Sequence, residues 1–340
     1  MPSNFLIVRL GSLGDIVHGL PVAAALRAAF PSARIDWLVD HRQRAILDLV
    51  PVVDHRIVVG RSVGGFLEAA RAVRRQRYDV ALDLQGLLKS GALARASGAG
   101  RVVGFPRRDL REPLARVFYS ETCPVPAGQH VIRKNLSLLR SVGLDPNVSE
   151  PAFPLDVPES SVLEEVLRRL KLGRGDRFAL LNPGAAWPNK RWPPERFGRV
   201  AAAIAERHGL RSAVLSGPAE EPLAEAIVAA SAGTAVATPR TTIADVLAIA
   251  RAARLMVSGD TGPLHLAAAV GTPAVALFGP TDAARNGPWS GRDISLSKYD
   301  GCSCRYERRC RLAQPCLFEI GEDEVLRAVE ERLARIPAHA

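Results

Sequence analysis

Short apolar runs alternate with longer amphipathic stretches through the first 142 residues of the chain. Compact apolar runs bounded by turn residues are typical of buried strands, and apolar positions with helical spacing are typical of surface helices. The runs predict strands at residues 4–10, 34–40, 55–59, 78–84 and 101–105. The stretches between them predict helices at about 15–30, 42–49, 66–76, 85–97 and, after an irregular basic loop at 106–128, 129–142. This alternation favours a parallel, doubly wound sheet.

A proline-rich segment separates the chain into two halves, each with alternating predicted strands and helices. Residues 143–158 contain Pro146, Pro151, Pro154 and Pro158, so we expect a linker there. Beyond it the pattern predicts strands at 178–182, 211–216, 235–237, 255–258 and 274–278, with helices at 160–172, 195–208, 221–231, 243–252 and 322–336. We therefore predict an α/β protein with facing nucleotide-fold domains at residues 1–150 and 159–320, followed by a C-terminal helix within 321–340 that has room to fold back on the first domain.

The amino-acid composition and charge limit the class of protein and the kind of partner that we expect. The hydrophobic share of 47% and the charged share of 24% are typical of soluble globular proteins. The formal charge of +10 suits an anionic partner, such as a phosphorylated molecule or a membrane surface. Only 5% of the residues are aromatic and no RNA-binding aromatic motif occurs, so we expect no nucleic acid partner. Neither a signal peptide nor an apolar run of about 20 residues is found, and we expect a cytoplasmic protein.

Residues 258–281 combine a strand end, a tight turn, a helix and a second buried strand. Asp260 or Thr261 can cap the helix, and Pro263 fits its first turn because an N–H is not needed there. His265 lies in the same turn. Helix starts present free N–H groups to anions, and open α/β sheets bind ligands at the carboxyl ends of their strands. The alternative is an ordinary connection without a ligand.

The loop GSLGD follows the first predicted strand and ends in Asp15. Its glycines, Gly11 and Gly14, do not complete the G-x-G-x-x-G motif of dinucleotide-binding proteins. They allow a ligand to approach the backbone closely. Asp15 is either a helix-capping acid or a general base that takes a proton from a hydroxyl nucleophile.

Cations accompany three other strand ends. Lys89 follows the fourth predicted strand, Arg111 lies in the basic loop, and Lys190 lies in a proline-rich loop between two tryptophans. Arginine and lysine in such loops suit phosphate and carboxylate groups, although solvated surface cations give the same pattern. Glu220 and Glu221 follow a strand of the second half, where one of them could accept hydrogen bonds from ribose or could complement a helix dipole.

The sequence offers little for a metal ion. No two aspartates are separated by a single residue, and no histidine pair has metal-ligand spacing. One cysteine cluster could hold zinc or an iron–sulfur cluster, but its C-x-C-x5-C-x5-C spacing lacks the usual C-x2-C pairs. Its members are Cys302, Cys304, Cys310 and Cys316. We therefore expect no metal and no cofactor in the reaction, and packed thiols at this cluster.

Five strings together resemble the family 9 glycosyltransferases, the ADP-heptose:lipopolysaccharide heptosyltransferases. They are GSLGDIVHGLP, DLQGLLKSGAL, REPLARVFY, NKRWP and SGDTGPLHLAAAVGTPAVALFGPT, and the resemblance runs in order from residue 5 to residue 281. The first three strings most resemble members that add the first heptose to the Kdo of lipid A. The resemblance implies a GT-B fold, in which two Rossmann-like domains face each other across a cleft. It also implies inverting transfer without a metal ion, with the acceptor on the N-terminal domain and the nucleotide sugar on the C-terminal domain.

The resemblance also assigns roles to individual residues. Asp15 matches the catalytic base, and Glu221 or its neighbour Glu220 matches an acid at the adenosine ribose. The donor diphosphate is assigned to Lys190, Asp260, Thr261, Gly262 and His265. From their own chemistry, rather than from the resemblance, we expect Gly14, Lys89 and Arg111 at the acceptor, with the two cations holding its carboxylate and phosphates. The implied partners are ADP-heptose and Kdo-lipid A or a related lipid-linked glycan, met by a peripheral protein at the inner face of the cytoplasmic membrane.

Two departures from the pattern leave the acceptor open. Ala185 and Ala186 stand where first-heptose enzymes tend to have small hydroxyl residues that contact phosphate, and the cysteine segment resembles second-heptose or less characterised members. The alternatives are a family relative with another donor or acceptor, a GT-B-like sugar-nucleotide epimerase, and a non-catalytic binder of nucleotide sugars.

Overall fold

The computed structural model describes residues 2–147 and 149–336. The chain divides into two compact units, Met1–Asp156 and Val157–Ala340. The division falls inside the proline-rich segment 143–158. Each unit is built around one parallel sheet covered by helices. The prediction of an α/β protein with two Rossmann-like domains is confirmed.

The sheet of the first unit has the strand order of a dinucleotide-binding fold. Its strands are β1 (Asn4–Val8), β2 (Arg34–Asp40), β3 (His55–Val59), β4 (Val80–Asp83), β5 (Arg101–Gly104) and β6 (Glu121–Thr122). They lie in the order β3-β2-β1-β4-β5-β6, and all pairs are parallel. The strand order reverses between β1 and β4, because β2 and β3 are added on one side of β1 and β4 to β6 on the other. Ligands of such sheets bind at this reversal, outside the carboxyl ends of the strands.

The α-helices of the first unit are α1 (Leu13–Val17), α2 (Leu20–Ala29), α3 (Val63–Arg74), α4 (Leu88–Ala96) and α5 (Val131–Leu136). The single helix predicted at 15–30 is therefore two helices. They separate at Gly19, where a Cβ atom would lie 3.0 Å from the Trp37 ring. The helix predicted at 42–49 is a 3₁₀ helix (Arg44–Leu49), and α5 continues as another (Ser137–Val142).

The basic loop at 106–128 is more regular than predicted. It contains two short 3₁₀ helices, Arg107–Asp109 and Pro113–Phe118, before it enters β6. Ala115 is fully buried, and Phe118 lies against α4 where Gly91 leaves room for its ring. Ala115 and Phe118 are three residues apart, which matches the repeat of a 3₁₀ helix. Their packing on one side explains why the segment Pro113–Phe118 is helical.

The second unit repeats the strand order of the first. Its strands are β7 (Ala179–Asn182), β8 (Ser212–Val214), β9 (Ala235–Ala237), β10 (Leu255–Gly259), β11 (Ala274–Phe278) and β12 (Ile294–Ser297). They lie in the order β12-β11-β10-β7-β8-β9, again all parallel. Strand β12 was not predicted, because its four residues alternate between half-buried and exposed and carry little apolar signal. The chain reverses across this sheet between β7 and β10.

The α-helices of the second unit are α6 (Ser161–Leu170), α7 (Pro194–His208), α8 (Glu221–Ala230), α9 (Ile243–Ala252), α10 (Gly262–Ala269), α11 (Ala283–Asn286) and α12 (Glu322–Ala334). Helix α12 packs on α7, β11 and β12 of this same unit. Its Val325 and Val329 join the core around Trp192. Contact of the C-terminal helix with the first domain stays a prediction, and residues 337–340 lie outside the described residues. No helix in residues 2–147 and 149–336 is long and apolar enough to cross a membrane.

Candidate active site

The predicted donor residues gather where the second sheet reverses. Strands β7 and β10 are neighbours, and the loops after them carry Lys190 and Asp260. Lys190 ends a short 3₁₀ helix, Pro188–Lys190, that places it beside the end of β10. A Cβ atom at Gly259 would lie 2.8 Å from the Lys190 carbonyl oxygen, so the two loops approach this closely only because residue 259 is glycine.

The Asp260 carboxylate is the centre of this group. Lys190 Nζ donates to its Oδ2 atom at 2.6 Å, and the Thr281 hydroxyl donates to the same oxygen at 2.6 Å. His265 Nε2 lies 3.2 Å from the Oδ1 atom. Asp260 and His265 are both buried, so these contacts are shielded from solvent. One carboxylate therefore fixes a lysine from one loop, a threonine from another and a histidine of α10.

The charge state of Asp260 follows from its partners. Burial alone would raise the pKa of Asp260, because a carboxylate loses solvation in the interior. The hydrogen bond with His265 and the charge of Lys190 outweigh burial and hold the pKa well below its usual range. Asp260 is therefore ionised at neutral pH. Lys190 also lies 4.5 Å from the centre of the Trp187 ring, and an ammonium group has further N–H groups to offer a ligand.

The start of helix α10 is open to an anion. Thr261 is the N-cap residue, but its side chain makes no capping bond and instead accepts from Asn182 Nδ2 at 2.8 Å. Asn182 also donates to the Ser258 hydroxyl at 2.9 Å, which ties the end of β7 to the end of β10. The N–H groups of the first turn, Gly262 among them, are the groups that helix starts present to phosphate.

Glu220, rather than Glu221, lies beside the loop after β7. The Glu220 carboxylate accepts from the Gly217 N–H at 3.1 Å and lies 3.7 Å from the Arg191 guanidinium. A Cβ atom at Gly184 would meet this carboxylate at 1.9 Å, so it sits directly over the backbone of that loop. Glu221 is the first residue of α8 and is exposed. Of the two candidates, the structure brings only Glu220 to the predicted donor site.

Asp15 lies at the corresponding reversal of the first sheet. It is the third residue of α1, directly after the loop that follows β1. Its Oδ2 atom accepts from the Ser12 N–H at 2.8 Å and from the Ser12 hydroxyl at 3.1 Å, and its Oδ1 atom pairs with Arg9. The capping role considered for Asp15 is therefore present. About a third of the side chain, 35%, remains exposed.

Arg9 sets the electrostatic state of Asp15. Burial would raise the pKa of Asp15, but the Arg9 charge and the hydrogen bonds from Ser12 lower it overall. Arg9 is itself buried and donates to the Leu84 carbonyl oxygen at 2.5 Å, just after β4. The Leu10 N–H donates to the Gln85 side chain at 2.7 Å. The ends of β1 and β4 are thus joined by two bonds, and Asp15 is ionised at neutral pH.

The predicted acceptor residues lie on three separate segments of the first unit, α1, α4 and the basic loop. Gly14 is buried within α1, whereas Lys89 in the first turn of α4 and Arg111 in the basic loop are exposed. Glu112, next to Arg111 in sequence, accepts from the Leu88 N–H at 2.7 Å and so joins the basic loop to the start of α4. Asp15 belongs to the first unit and Lys190 to the second.

The structure adds residues that sequence reasoning missed. Asp83 is fully buried at the end of β4, and burial raises its pKa although four donors bind it. The donors are the hydroxyls of Tyr119 (2.7 Å) and Ser90 (2.9 Å) and the N–H groups of Gln85 (2.9 Å) and Gly86 (3.2 Å). Its position as an acid at a strand end was the available signal. Arg9, Asn182 and Thr281 were also missed, because each contacts a motif residue (Asp15, Thr261 and Asp260, respectively) from another position along the chain that only the fold brings close.

The four clustered cysteines come together in the second unit. Cys302, Cys304 and Cys316 are buried and pack with Cys310, and the sulfur atoms of Cys304 and Cys310 lie 3.1 Å apart. Burial raises the pKa of Cys316 to about 12, so this side chain is a neutral thiol. Among the described residues, no three His, Cys, Asp or Glu side chains are arranged to hold a metal ion.

Comparisons with known proteins identify the family of this chain. The family model "Glycosyltransferase family 9 (heptosyltransferase)" matches residues 66–315. Lipopolysaccharide heptosyltransferase 1 of Pseudomonas aeruginosa is 31% identical over 319 residues, which cover 90% of this chain and 86% of the relative.

Two solved structures share the fold. A family 9 glycosyltransferase from Veillonella parvula has a TM-score of 0.81 at 23% identity and covers 98% of both chains. An E. coli heptosyltransferase with ADP-2-deoxy-2-fluoro heptose has a TM-score of 0.76 at 24% identity, covering 96% of this chain and 99% of the other. The chain therefore belongs to glycosyltransferase family 9, the heptosyltransferase family, and is a glycosyltransferase with the GT-B fold.

Proposed function

We propose that this enzyme transfers heptose from ADP-heptose to the Kdo region of the lipopolysaccharide inner core, with inversion and without a metal ion. The observation that carries the proposal is the grouping of Lys190, Asp260 and the open start of α10 at one strand reversal. The Pseudomonas relative is a lipopolysaccharide heptosyltransferase, and the E. coli structure holds a fluorinated analogue of ADP-heptose. Both support a heptose donor and a lipopolysaccharide acceptor.

In this proposal the second domain binds the donor. The diphosphate accepts hydrogen bonds from the first turn of α10, at Thr261 and Gly262, and from Lys190. Asp260 and His265 act by holding Lys190 and the helix start in place. Glu220 is better placed than Glu221 to accept hydrogen bonds from the adenosine ribose. Because these groups offset negative charge, the departing ADP needs no metal ion.

The first domain supplies the base and the acceptor site. The acceptor hydroxyl loses its proton to Asp15, and its oxygen attacks the anomeric carbon from the face opposite ADP. The bond between that carbon and the ADP oxygen breaks, and ADP leaves with the electron pair. Gly14, Lys89 and Arg111 bind the acceptor's carboxylate and phosphates. Since donor and acceptor are held by different domains, we expect domain closure before transfer.

The acceptor's lipid defines where the enzyme works. Kdo-lipid A or a related lipid-linked glycan is held in a membrane, so we place the enzyme in the cytoplasm, peripherally at the inner face of the cytoplasmic membrane. The formal charge of +10 favours contact with anionic lipids.

A transfer assay with variants tests the proposal. The full chain receives ADP-, UDP- or GDP-sugars with Kdo-lipid A, in the presence and absence of EDTA. We expect transfer from ADP-heptose, unchanged by EDTA. Asp15→Asn should lower the transfer rate by about 10²- to 10⁴-fold with ADP affinity retained, since general base catalysis contributes this much. Asp48→Asn is the matched control, because Asp48 is also paired with an arginine, Arg56, in the same domain.

The outcomes separate the alternatives. Transfer by Asp15→Asn at a rate close to wild type would contradict the base role. Conversion of the donor without an acceptor would indicate an epimerase, and ADP binding without turnover on any acceptor would indicate a binding protein. Preference for another sugar nucleotide would indicate a relative with a different donor.

A further inference from the structure

One layer of the first domain exposes aliphatic side chains that the fold does not use. Helices α3 and α4 pack together, and the 3₁₀ helix Pro113–Phe118 packs on α4. Among the described residues, five of the seven exposed large hydrophobic side chains belong to these three elements. We call them the apolar ridge: Val63, Leu67, Leu88, Leu114 and Val117. Exposed apolar groups concentrated in one layer are typical of a binding surface.

The geometry of the 3₁₀ helix directs part of the ridge outward. With three residues per turn, side chains three positions apart share a face. Ala115 and Phe118 take the inward face against α4, so Leu114 and Val117 share an outward face. Their exposed fractions are 62% and 74%. The two side chains therefore protrude together, and their removal would leave the interior unchanged.

The ridge lies near the predicted acceptor residues. Val63 and Leu88 are the first residues of α3 and α4, which follow the ends of β3 and β4. The 3₁₀ helix follows the end of β5 in the same way. The carboxyl ends of parallel strands meet at one edge of a sheet, so these side chains lie toward the edge that carries Asp15.

Exposed cations accompany the ridge. Within residues 2–147 and 149–336, several exposed arginine and lysine side chains of these elements or next to them form no ion pair. Those near the starts of the elements are Arg61, Lys89, Arg107 and Arg111, and those further along α3 and α4 are Arg71, Arg74, Arg75 and Arg95. Of the nearby acids, Glu112 accepts the Leu88 N–H and Glu68 is an exposed carboxylate of α3, so the cations of this layer outnumber its acids. Protruding aliphatic groups with uncompensated cations match the interface of an anionic bilayer, where lipid phosphates lie above the acyl chains.

We propose that the apolar ridge docks this enzyme on an anionic lipid bilayer. Leu114 and Val117 enter the headgroup region, and the surrounding arginines and lysines contact lipid phosphates. The inference rests on the proposed function, because a lipid-linked acceptor is the reason for the enzyme to be at a bilayer. Docking through this layer brings the edge that carries Lys89 and Arg111 close to the acceptor's headgroup.

Vesicle flotation tests the docking surface. The full chain is mixed with vesicles of phosphatidylethanolamine and phosphatidylglycerol, or of phosphatidylcholine alone. We expect the wild type to float with the anionic vesicles, less so as salt rises. The double variant Leu114→Glu/Val117→Glu should lower the partition coefficient at least about tenfold, since two aliphatic side chains no longer leave water. Leu312→Glu is the matched control, because Leu312 is 58% exposed but belongs to the second domain.

A second readout separates docking from catalysis. The double variant should transfer sugar to a soluble acceptor without acyl chains at the wild-type rate, and should lose rate only with vesicle-bound acceptor. Vesicle binding without transfer to either acceptor would refute the proposed function and leave the docking surface standing. Equal flotation of wild type and double variant, or no flotation of the wild type, would overturn the docking surface. Equal loss with Leu312→Glu would overturn it as well.

Discussion

Asp15 and Asp260 each keep a negative charge in a partly or fully desolvated position through one main cation. Asp260 uses Lys190, and two further side chains complete its shell. Asp15 uses Arg9 and keeps one third of its side chain exposed. A fully enclosed carboxylate has no room to accept a proton from substrate, whereas an exposed one has. This difference supports the proposed roles, in which Asp260 positions Lys190 and Asp15 takes the proton.

The Arg9–Asp15 ion pair predicts how the transfer rate falls at low pH. Arg9 lowers the pKa of Asp15, so Asp15 loses its charge only below the ordinary aspartate pKa of about 3.9. Arg9→Gln removes this effect, raises the pKa of Asp15 and should move the acid limb of the transfer rate to higher pH. Single-turnover rates across pH measure the shift independently of any loss of active protein. Arg101→Gln is the control, since Arg101 is paired with Glu121 away from Asp15. Identical profiles for Arg9→Gln and wild type would show that Asp15 is not the titrating base.

The residues of the candidate site were predictable only as far as they lie at strand ends. Asp15, Lys190 and Asp260 follow apolar runs, and the carboxyl ends of parallel strands meet at one edge. Their partners were not predictable, because the Asn182–Thr261 and Thr281–Asp260 contacts join residues 79 and 21 positions apart. The choice between Glu220 and Glu221 also needed the structure, since the turn before α8 decides which carboxylate faces Gly184.

At the scale of elements, the proposed donor site depends on how closely the loops after β7 and β10 approach each other. Gly259 ends β10, and its missing side chain makes room for the Lys190 carbonyl oxygen. Gly259→Ala should displace the Lys190 loop, destabilise the second domain by about 1–3 kcal/mol and weaken ADP binding. Calorimetric titration with ADP and denaturant unfolding measure the two effects. Gly291→Ala is the matched control, because a Cβ atom there meets nothing within 4 Å. ADP affinity unchanged by Gly259→Ala would argue against Lys190 as a diphosphate ligand.

Elements were predicted well where burial dictated the pattern. Strands such as β1 and β11 are almost entirely buried and read as continuous apolar runs. The errors concern segments whose pattern is short or ambiguous, such as β12 and the break between α1 and α2. A 3₁₀ helix and an α-helix differ in which carbonyl accepts each N–H, and apolar spacing over six residues does not distinguish them. Hence the segment Arg44–Leu49 was predicted as an α-helix.

At the scale of the whole molecule, the two domains share one strand order but carry different chemistry at the reversal. The first presents an aspartate paired with a buried arginine, and the second an open helix start with a fixed lysine. A nucleotide diphosphate matches only the second set, because that set offers N–H groups together with a positive charge. Under this proposed division of labour, ADP binds to the second domain of the full chain.

Hydrogen exchange of the full chain with ADP measures that division. Bound diphosphate engages the N–H groups at the start of α10, so amides at 259–266 and in the Lys190 loop at 187–192 should exchange more slowly. At ADP one hundred times its Kd, the binding-linked stabilisation reaches about 2.7 kcal/mol, enough to slow exchange markedly. Amides at 4–17 and 83–90 should be unchanged. Lys190→Met should lose the protection at α10, whereas the exposed control Lys171→Met should keep it. Protection at 4–17 with none at 259–266 would assign ADP to the first domain and reverse the proposed roles.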